Sequence, residues 1–206
     1  YKKIISIHLS GKLSGTLQAA RVAKSLINRE NDIELVDSMG ASLLQGVLVL
    51  EAAKKAKKKE SFNSIINWAN NFKTKGKLLI VIPELTYLER GGRIGKASSA
   101  IGGFLKMKPI LTISQGEITV EKKVLGEYNA HKYIEKYVKD ESKKQSLIMC
   151  TAWGGTPTEL ESLTKVQNEI LKESKVHGTI LNREIGGVIG AHAGPIYGVF
   201  IFPKLN

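Results

Sequence analysis

The 206-residue sequence holds a single cysteine and no apolar run near the roughly 20 residues that a membrane-crossing helix requires. One thiol, Cys150 within Leu147-Ile148-Met149-Cys150, excludes an internal disulfide, and no CxxC or Cys/His spacing offers a metal site. Cys150 reads as a buried structural thiol, and the chain as a cytoplasmic one with no stable membrane insertion. Arginine is scarce as well: five of 31 basic residues are Arg and the other 26 are Lys. The net charge of +12 therefore rests on a side chain without the planar fork that grips phosphate and guanine bidentately. The densest cluster, Lys54-Lys55-Ala56-Lys57-Lys58-Lys59, closes a predicted helix, where cations favour the macrodipole. No aromatic residue interleaves with it as a single-strand groove demands, so no nucleic-acid partner is expected. The opening Tyr1-Lys2-Lys3-Ile4-Ile5-Ser6-Ile7 has neither an initiator Met nor the apolar stretch of a signal peptide. Because it begins directly on a strand-like run, the chain is expected to lack its true N-terminus.

What is present is an alternation of strand and helix periods. Ile4 to Leu9 and Asp32 to Val36 read as strands. Helices are predicted from Leu17 to Ile27, with Leu17, Ala20, Ala23, Leu26 and Ile27 on one face, from Leu43 to Lys59, and from Phe62 to Phe72. This order favours a parallel sheet under helices. Beyond Lys75-Gly76-Lys77 the pattern changes. A strand (Leu78 to Pro83) and a helix through Leu85, Leu88 and Glu89 precede a small apolar helix from Ala97 to Phe104. Two strands, Pro109 to Ser114 and Glu117 to Val124, flank Gln115-Gly116, a hairpin signal. A helix from Asn129, a strand from Ser146, a helix opening at Thr156-Pro157-Thr158-Glu159 and a strand from Val176 follow. A glycine-rich stretch and a last strand, Tyr197 to Phe202, complete the chain. The expectation is an α/β fold in two domains: residues 1–74 as a parallel-sheet α/β domain, incomplete, and 75–206 as an α+β domain.

Three segments carry chemistry. Ser10-Gly11-Lys12-Leu13-Ser14-Gly15-Thr16 joins a strand to a helix, where backbone N–H groups and hydroxyls favour an anion. It is not a GxxxxGK[ST] loop, and Ser14 or Thr16 serves equally well as a helix cap. Ile189-Gly190-Ala191-His192-Ala193-Gly194-Pro195 reads as a small-residue loop with room beside its histidine. His192 suits a structural role, a base, or a donor to a carboxylate. His131, by contrast, falls on an amphipathic helix. Leu88-Glu89-Arg90-Gly91-Gly92-Arg93-Ile94-Gly95-Lys96 suits a helix junction tied by its arginines more than a phosphate site. Ser14 and His192 also admit a serine-type hydrolase or acyltransferase, although no GxSxG elbow and no obvious acidic third member are present; Asp37, after a strand, suits that part or, with Ser38, the cap of the next helix.

In order, the segment from Ser6 to Thr16, then Val36-Asp37-Ser38, the block from Leu88 through Lys108-Pro109-Ile110-Leu111, and Gly190-Ala191-His192-Ala193-Gly194-Pro195 resemble the bacterial DegV family along the whole chain. The resemblance implies a two-domain lipid-binding protein with no catalytic residues or cofactor of its own. It implies a long-chain fatty acid buried between the domains, its carboxylate held by hydroxyls and a histidine. It implies, too, a partner in phospholipid metabolism: the catalytic subunit of a fatty acid kinase, which phosphorylates the presented carboxylate to an acyl phosphate. Carried over, Ser14 (with Ser10 as the competing hydroxyl), Thr16 and His192 become carboxylate contacts. Ala97, Ala100, Ile101, Phe104, Leu105, Ile110 and Ile185 become acyl-tunnel candidates. Three departures stand out. The family's first strand and its Thr-Ser-Gln-Pro segment have no counterpart here. Leu125-Gly126-Glu127 replaces a basic stretch after the hairpin, which alters the docking surface if that stretch engages the kinase. Ile196 stands where the family has Gly.

Overall fold

A computed structural model of the chain describes residues 2–27, 29–100, 107–173 and 176–204, with the backbone alone at 100, 173 and 177–181. The chain divides into two compact units, one of residues 1–75 with 113–117, the other of residues 76–112 with 118–206.

In the first unit β1 (Ile4–His8) and β2 (Ile33–Asp37) pair in parallel, in register from Ile4 opposite Ile33 to His8 opposite Asp37. Parallel neighbours need a crossover, and α1 (Thr16–Ser25) supplies it. Helices α2 (Leu43–Lys57) and α3 (Phe62–Phe72) pack on one another and on the strands, burying Leu44, Val47, Leu48, Ile65, Ala69 and Phe72. Ser61 caps α3 by accepting the Ser64 N–H. The predicted apolar face of α1 departs from expectation. Only Leu17 is fully buried, the helix stops at Ser25, and Leu26 is 79% exposed. Two strands set only about 5 Å apart give such a face little to cover it.

The second unit is built on six strands in the order β5-β4-β3-β8-β6-β7. These are β3 (Lys77–Val81), β4 (Met107–Ser114), β5 (Glu117–Leu125), β6 (Leu147–Gly154), β7 (Val176–Glu184) and β8 (Ile196–Pro203). Strand β8 runs antiparallel to β3 and β6, whereas β6 and β7 are parallel through the crossover helix α6 (Pro157–Glu173). At the start of that helix the Thr156 N–H and hydroxyl both donate to Glu159 Oε2 at 2.8 and 2.6 Å, and Thr156 Oγ1 accepts the Thr158 N–H at 3.3 Å. The sheet is buried on both faces. Leu79, Val81, Ile110, Met149, Val199 and Ile201 lie in one cluster with Ala130, Ile134 and Val138 of α5 (Gly126–Lys144) and Leu163, Val166 and Ile170 of α6. The alternate residues Leu78, Ile80, Leu111, Ile148, Cys150 and Phe200 point the other way and are equally buried. Strands buried on both sides read as continuous apolar runs, as these do. Of the helix predicted from Ala97 to Phe104, the first four residues fall in a 3-10 turn, Gly95–Ala100, and residues 101–106 lie outside the described residues.

A polar cluster pins the start of β8 to both helices. Glu127 Oε1 accepts from the Ser162 hydroxyl at 2.5 Å and from the Tyr197 phenol at 3.2 Å. His131 Nε2 stands 2.8 Å from the same phenolic oxygen, which, its own O–H donating to Glu127, accepts the imidazole N–H. Burial presses the Glu127 carboxyl upward, but the Ser162 bond, the His131 charge, the Tyr197 bond and Lys108 outweigh it, leaving it below the usual range. Burial holds the His131 imidazole below its ordinary value against the pull of Glu127, with Lys165 adding to the depression. Burial, then the Glu127 charge, pushes the Tyr197 phenol up. Both depressed groups bind more protons when unfolded. Stability is thus full above their ordinary values and falls with pH, from about 6.5 downward for His131 and about 4.5 for Glu127. In His131→Gln, thermal melts at pH 7 and pH 5 should therefore lie closer together than in the wild type. An unchanged gap would contradict the assignment.

Candidate functional site

Each chemistry-bearing segment is built within its own unit. In the first, the chain leaves β1 into a tight turn in which the Leu13 and Ser14 N–H groups donate to the Ser10 carbonyl at 2.9 and 3.1 Å. Asp37, at the end of β2, steadies this loop. One carboxylate oxygen accepts the Gly11 N–H at 3.2 Å, and the other accepts the Met39 N–H at 2.7 Å. Asp37 thus takes one backbone N–H on each oxygen, a structural role in the loop. Ser14 and Thr16 stand at the N-terminus of α1. Their hydroxyls lie 3.1 Å apart, and Ser14 Oγ accepts the Thr16 N–H at 3.3 Å. The two hydroxyls bring two protons, and whichever donates, one proton of the pair remains uncommitted. Gly15 between them is bare, with no atom within 4 Å of where a β-carbon would stand. The approach to these donors and to the first-turn N–H groups is therefore open. Ser10 differs. It is buried, and its hydroxyl donates to the Gly116 carbonyl at 2.7 Å.

In the second unit the histidine segment is helical, which corrects the predicted loop. Residues Gly187–Ala193 form α7, closed by Gly194 at φ +68°. The Gly and Ala content that suggests a loop instead lets this short helix pack closely on α4 (Thr86–Arg90). Two glycines make the contact possible. A β-carbon on Gly91 would lie 2.7 Å from His192 Nδ1, and one on Gly194 would enter the Tyr87 ring. The two glycine motifs, about 100 residues apart in sequence, thus meet ring against backbone. Arg93 ties down the turn after α4, donating through its guanidinium to the Gly91 carbonyl at 2.6 Å and through its N–H to Leu88. For Arg93 this is the helix-junction role expected. Among the described residues no group hydrogen-bonds the His192 ring, which is half-buried and has its imidazole donor to offer.

The acyl-tunnel candidates scatter. Ala97 is fully buried, and Ile185 packs its side chain on Gly154, on the sheet face turned away from α5 and α6. Ile110 belongs instead to the cluster beneath α5 and α6, and its neighbour Leu111 turns to the other face with Ile80. Ile101, Phe104 and Leu105 lie outside the described residues, as does the side chain of Ala100. The Glu127–His131–Tyr197–Ser162 cluster is absent from the sequence reading. Its one visible signal is the four-residue spacing of Glu127 and His131, one helical turn.

The Gly91–His192 contact predicts its own disruption. Gly91→Ala places a methyl group against the imidazole and 3.1 Å from the Tyr87 carbonyl oxygen. The expected result is a loss of about 1–3 kcal/mol in denaturant titrations together with a displaced His192 imidazole resonance in NMR spectra. A wild-type His192 spectrum would contradict the contact.

Comparison with known proteins places the chain. The family model described as uncharacterised protein, DegV family, matches residues 1–204. A DegV domain-containing protein of Caldanaerobacter subterraneus is 34% identical over 206 residues, covering 98% of this chain and 71% of the relative. A solved DegV family protein from Thermus thermophilus, described for its fatty acid binding, superposes with a TM-score of 0.88 at 28% identity, over 98% of this chain and 71% of that one. DegV of Bacillus subtilis, described as a fatty acid binding protein, gives 0.82 at 28% identity, over 99% and 72%. With its whole described length matched in sequence and fold, the chain belongs to the DegV family.

Proposed function

We propose that the chain binds a long-chain fatty acid, with its carboxylate received by the Ser14–Thr16 hydroxyl pair and the His192 imidazole, and presents that carboxylate to a kinase. What carries the reading is that both motifs end in donors with a proton to spare, Ser14 with Thr16 at a helix N-terminus and His192 on α7. The fatty acid binding attributed to the relatives from Thermus thermophilus and Bacillus subtilis supports it. A carboxylate offers only acceptors, so hydroxyls, backbone N–H groups and an imidazole N–H satisfy it without a fully buried ion pair. The acyl chain adds affinity at about 0.8 kcal/mol per buried CH₂. We assign it to the side of the sheet that carries Ile80, Leu111 and Phe200, already buried without a ligand, with Ile185 on the same side. The partner, in the family's pattern, is the catalytic subunit of a fatty acid kinase, and the product is an acyl phosphate.

Palmitate and 1-hexadecanol, alike except at the head group, test this. Ser14→Ala and His192→Ala should each weaken palmitate about ten- to a hundredfold, the cost of one hydrogen bond to a charge. Hexadecanol binding should change far less. Equal palmitate affinity in wild type and variants would refute the carboxylate assignment. Palmitate-loaded protein given ATP and a fatty acid kinase catalytic subunit should yield acyl phosphate, and recovery of palmitate alone would remove the kinase step.

A further inference from the structure

Ser10 is the base on which the Ser14 loop stands, and it has no donor left to give. It is 1% exposed. Its one hydroxyl proton goes to the Gly116 carbonyl, and its oxygen accepts the Lys12 N–H at 3.2 Å. Its own N–H donates to the Gly40 carbonyl at 2.8 Å, while its carbonyl holds the N–H groups of Leu13 and Ser14. A carboxylate can only accept, so a serine whose single proton is committed and which has almost no exposed surface cannot receive one. The partner across this bond is a two-residue turn with φ +51° at Gln115 and +81° at Gly116, the left-handed pair of a type I′ hairpin. Gly116 meets two demands at once: the positive φ, and a close approach in which a β-carbon would stand 2.6 Å from Ser10 Oγ. Outside this bond, Lys12 Nζ lies 3.7 Å from Glu117 Oε1.

We propose that Ser10 is a positioning residue: the Gln115-Gly116 turn seats on its hydroxyl and fixes the 10–14 turn, so that Ser14 and Thr16 present their free proton in one place. The ligand in this proposal rests on the fatty acid reading above, whereas the latch itself does not. The hairpin turn thereby acts on carboxylate affinity without touching the carboxylate.

Three variants and two readouts decide it. Ser10→Ala removes the bond. Gly116→Asn keeps a residue that tolerates positive φ but drives a β-carbon into Ser10 Oγ. Ser10→Thr retains the hydroxyl. In ligand-free protein, amide hydrogen exchange at Leu13 and Ser14, measured against the core amides of α5, should speed up about tenfold or more in the first two variants and stay near wild type in the third. Palmitate affinity should fall about tenfold in the same two and recover in Ser10→Thr. Weakened palmitate binding in Ser10→Ala but not in Gly116→Asn would make Ser10 a direct ligand and overturn the proposal. Unchanged exchange at Leu13 and Ser14 in Ser10→Ala would overturn it as well. If the wild type takes up no palmitate, the fatty acid reading falls, and the exchange data alone still decide the latch.

Discussion

A carboxylate brings lone pairs and no protons, so any group that receives it must have a hydrogen not already given away. This constraint sorts the polar side chains of the chain more sharply than their types do. Ser10, Ser14 and Thr16 are all hydroxyls within seven residues, yet Ser10 has donated its proton to Gly116 whereas the Ser14–Thr16 pair retains one. Asp37, an acceptor only, takes the N–H groups of Gly11 and Met39, one on each oxygen, and so steadies the loop. His131 is committed to Tyr197 and Glu127, and His192 to none of the described residues.

The same economy of space governs the second unit. Its sheet is covered on both faces, so the segments that meet beside it must do so with little volume. Glycine at 91 and 194 lets the His192 and Tyr87 rings lie directly on backbone. The polar cluster at Glu127 then fixes Tyr197, three residues beyond Gly194, where β8 begins. The position of His192 thus depends on contacts from α4 on one side and on a strand anchored by α5 and α6 on the other.

Much of this was legible in the residues. Gln115-Gly116 announced the hairpin because a glycine between two strand-like runs supplies a positive φ, and Thr156 to Glu159 announced the start of α6. Phe62 to Phe72 formed the helix its period required. Other features were hidden for physical reasons. In a strand buried on both faces, apolar periodicity does not say which residues share a face, so Ile110 and Leu111 could not be sorted. Glycine and alanine around His192 read as loop because their use here, close helix packing, depends on a partner 100 residues away. The Glu127 cluster joins α5, α6 and β8, and only its local pair is visible in sequence. That Ser10 is buried and its proton committed turned on one long-range bond, Ser10 to Gly116, which no local pattern encodes.

The central claim is that donors with a spare proton and a doubly buried apolar sheet serve a long-chain fatty acid. Denaturing extraction of the purified protein, never exposed to added lipid, followed by mass spectrometry tests this most directly. The account predicts long-chain free fatty acid in near-stoichiometric amount, lost in the combined Ser14→Ala, His192→Ala variant. Extracts that hold no fatty acid, or the same amount in wild type and variant, would contradict it.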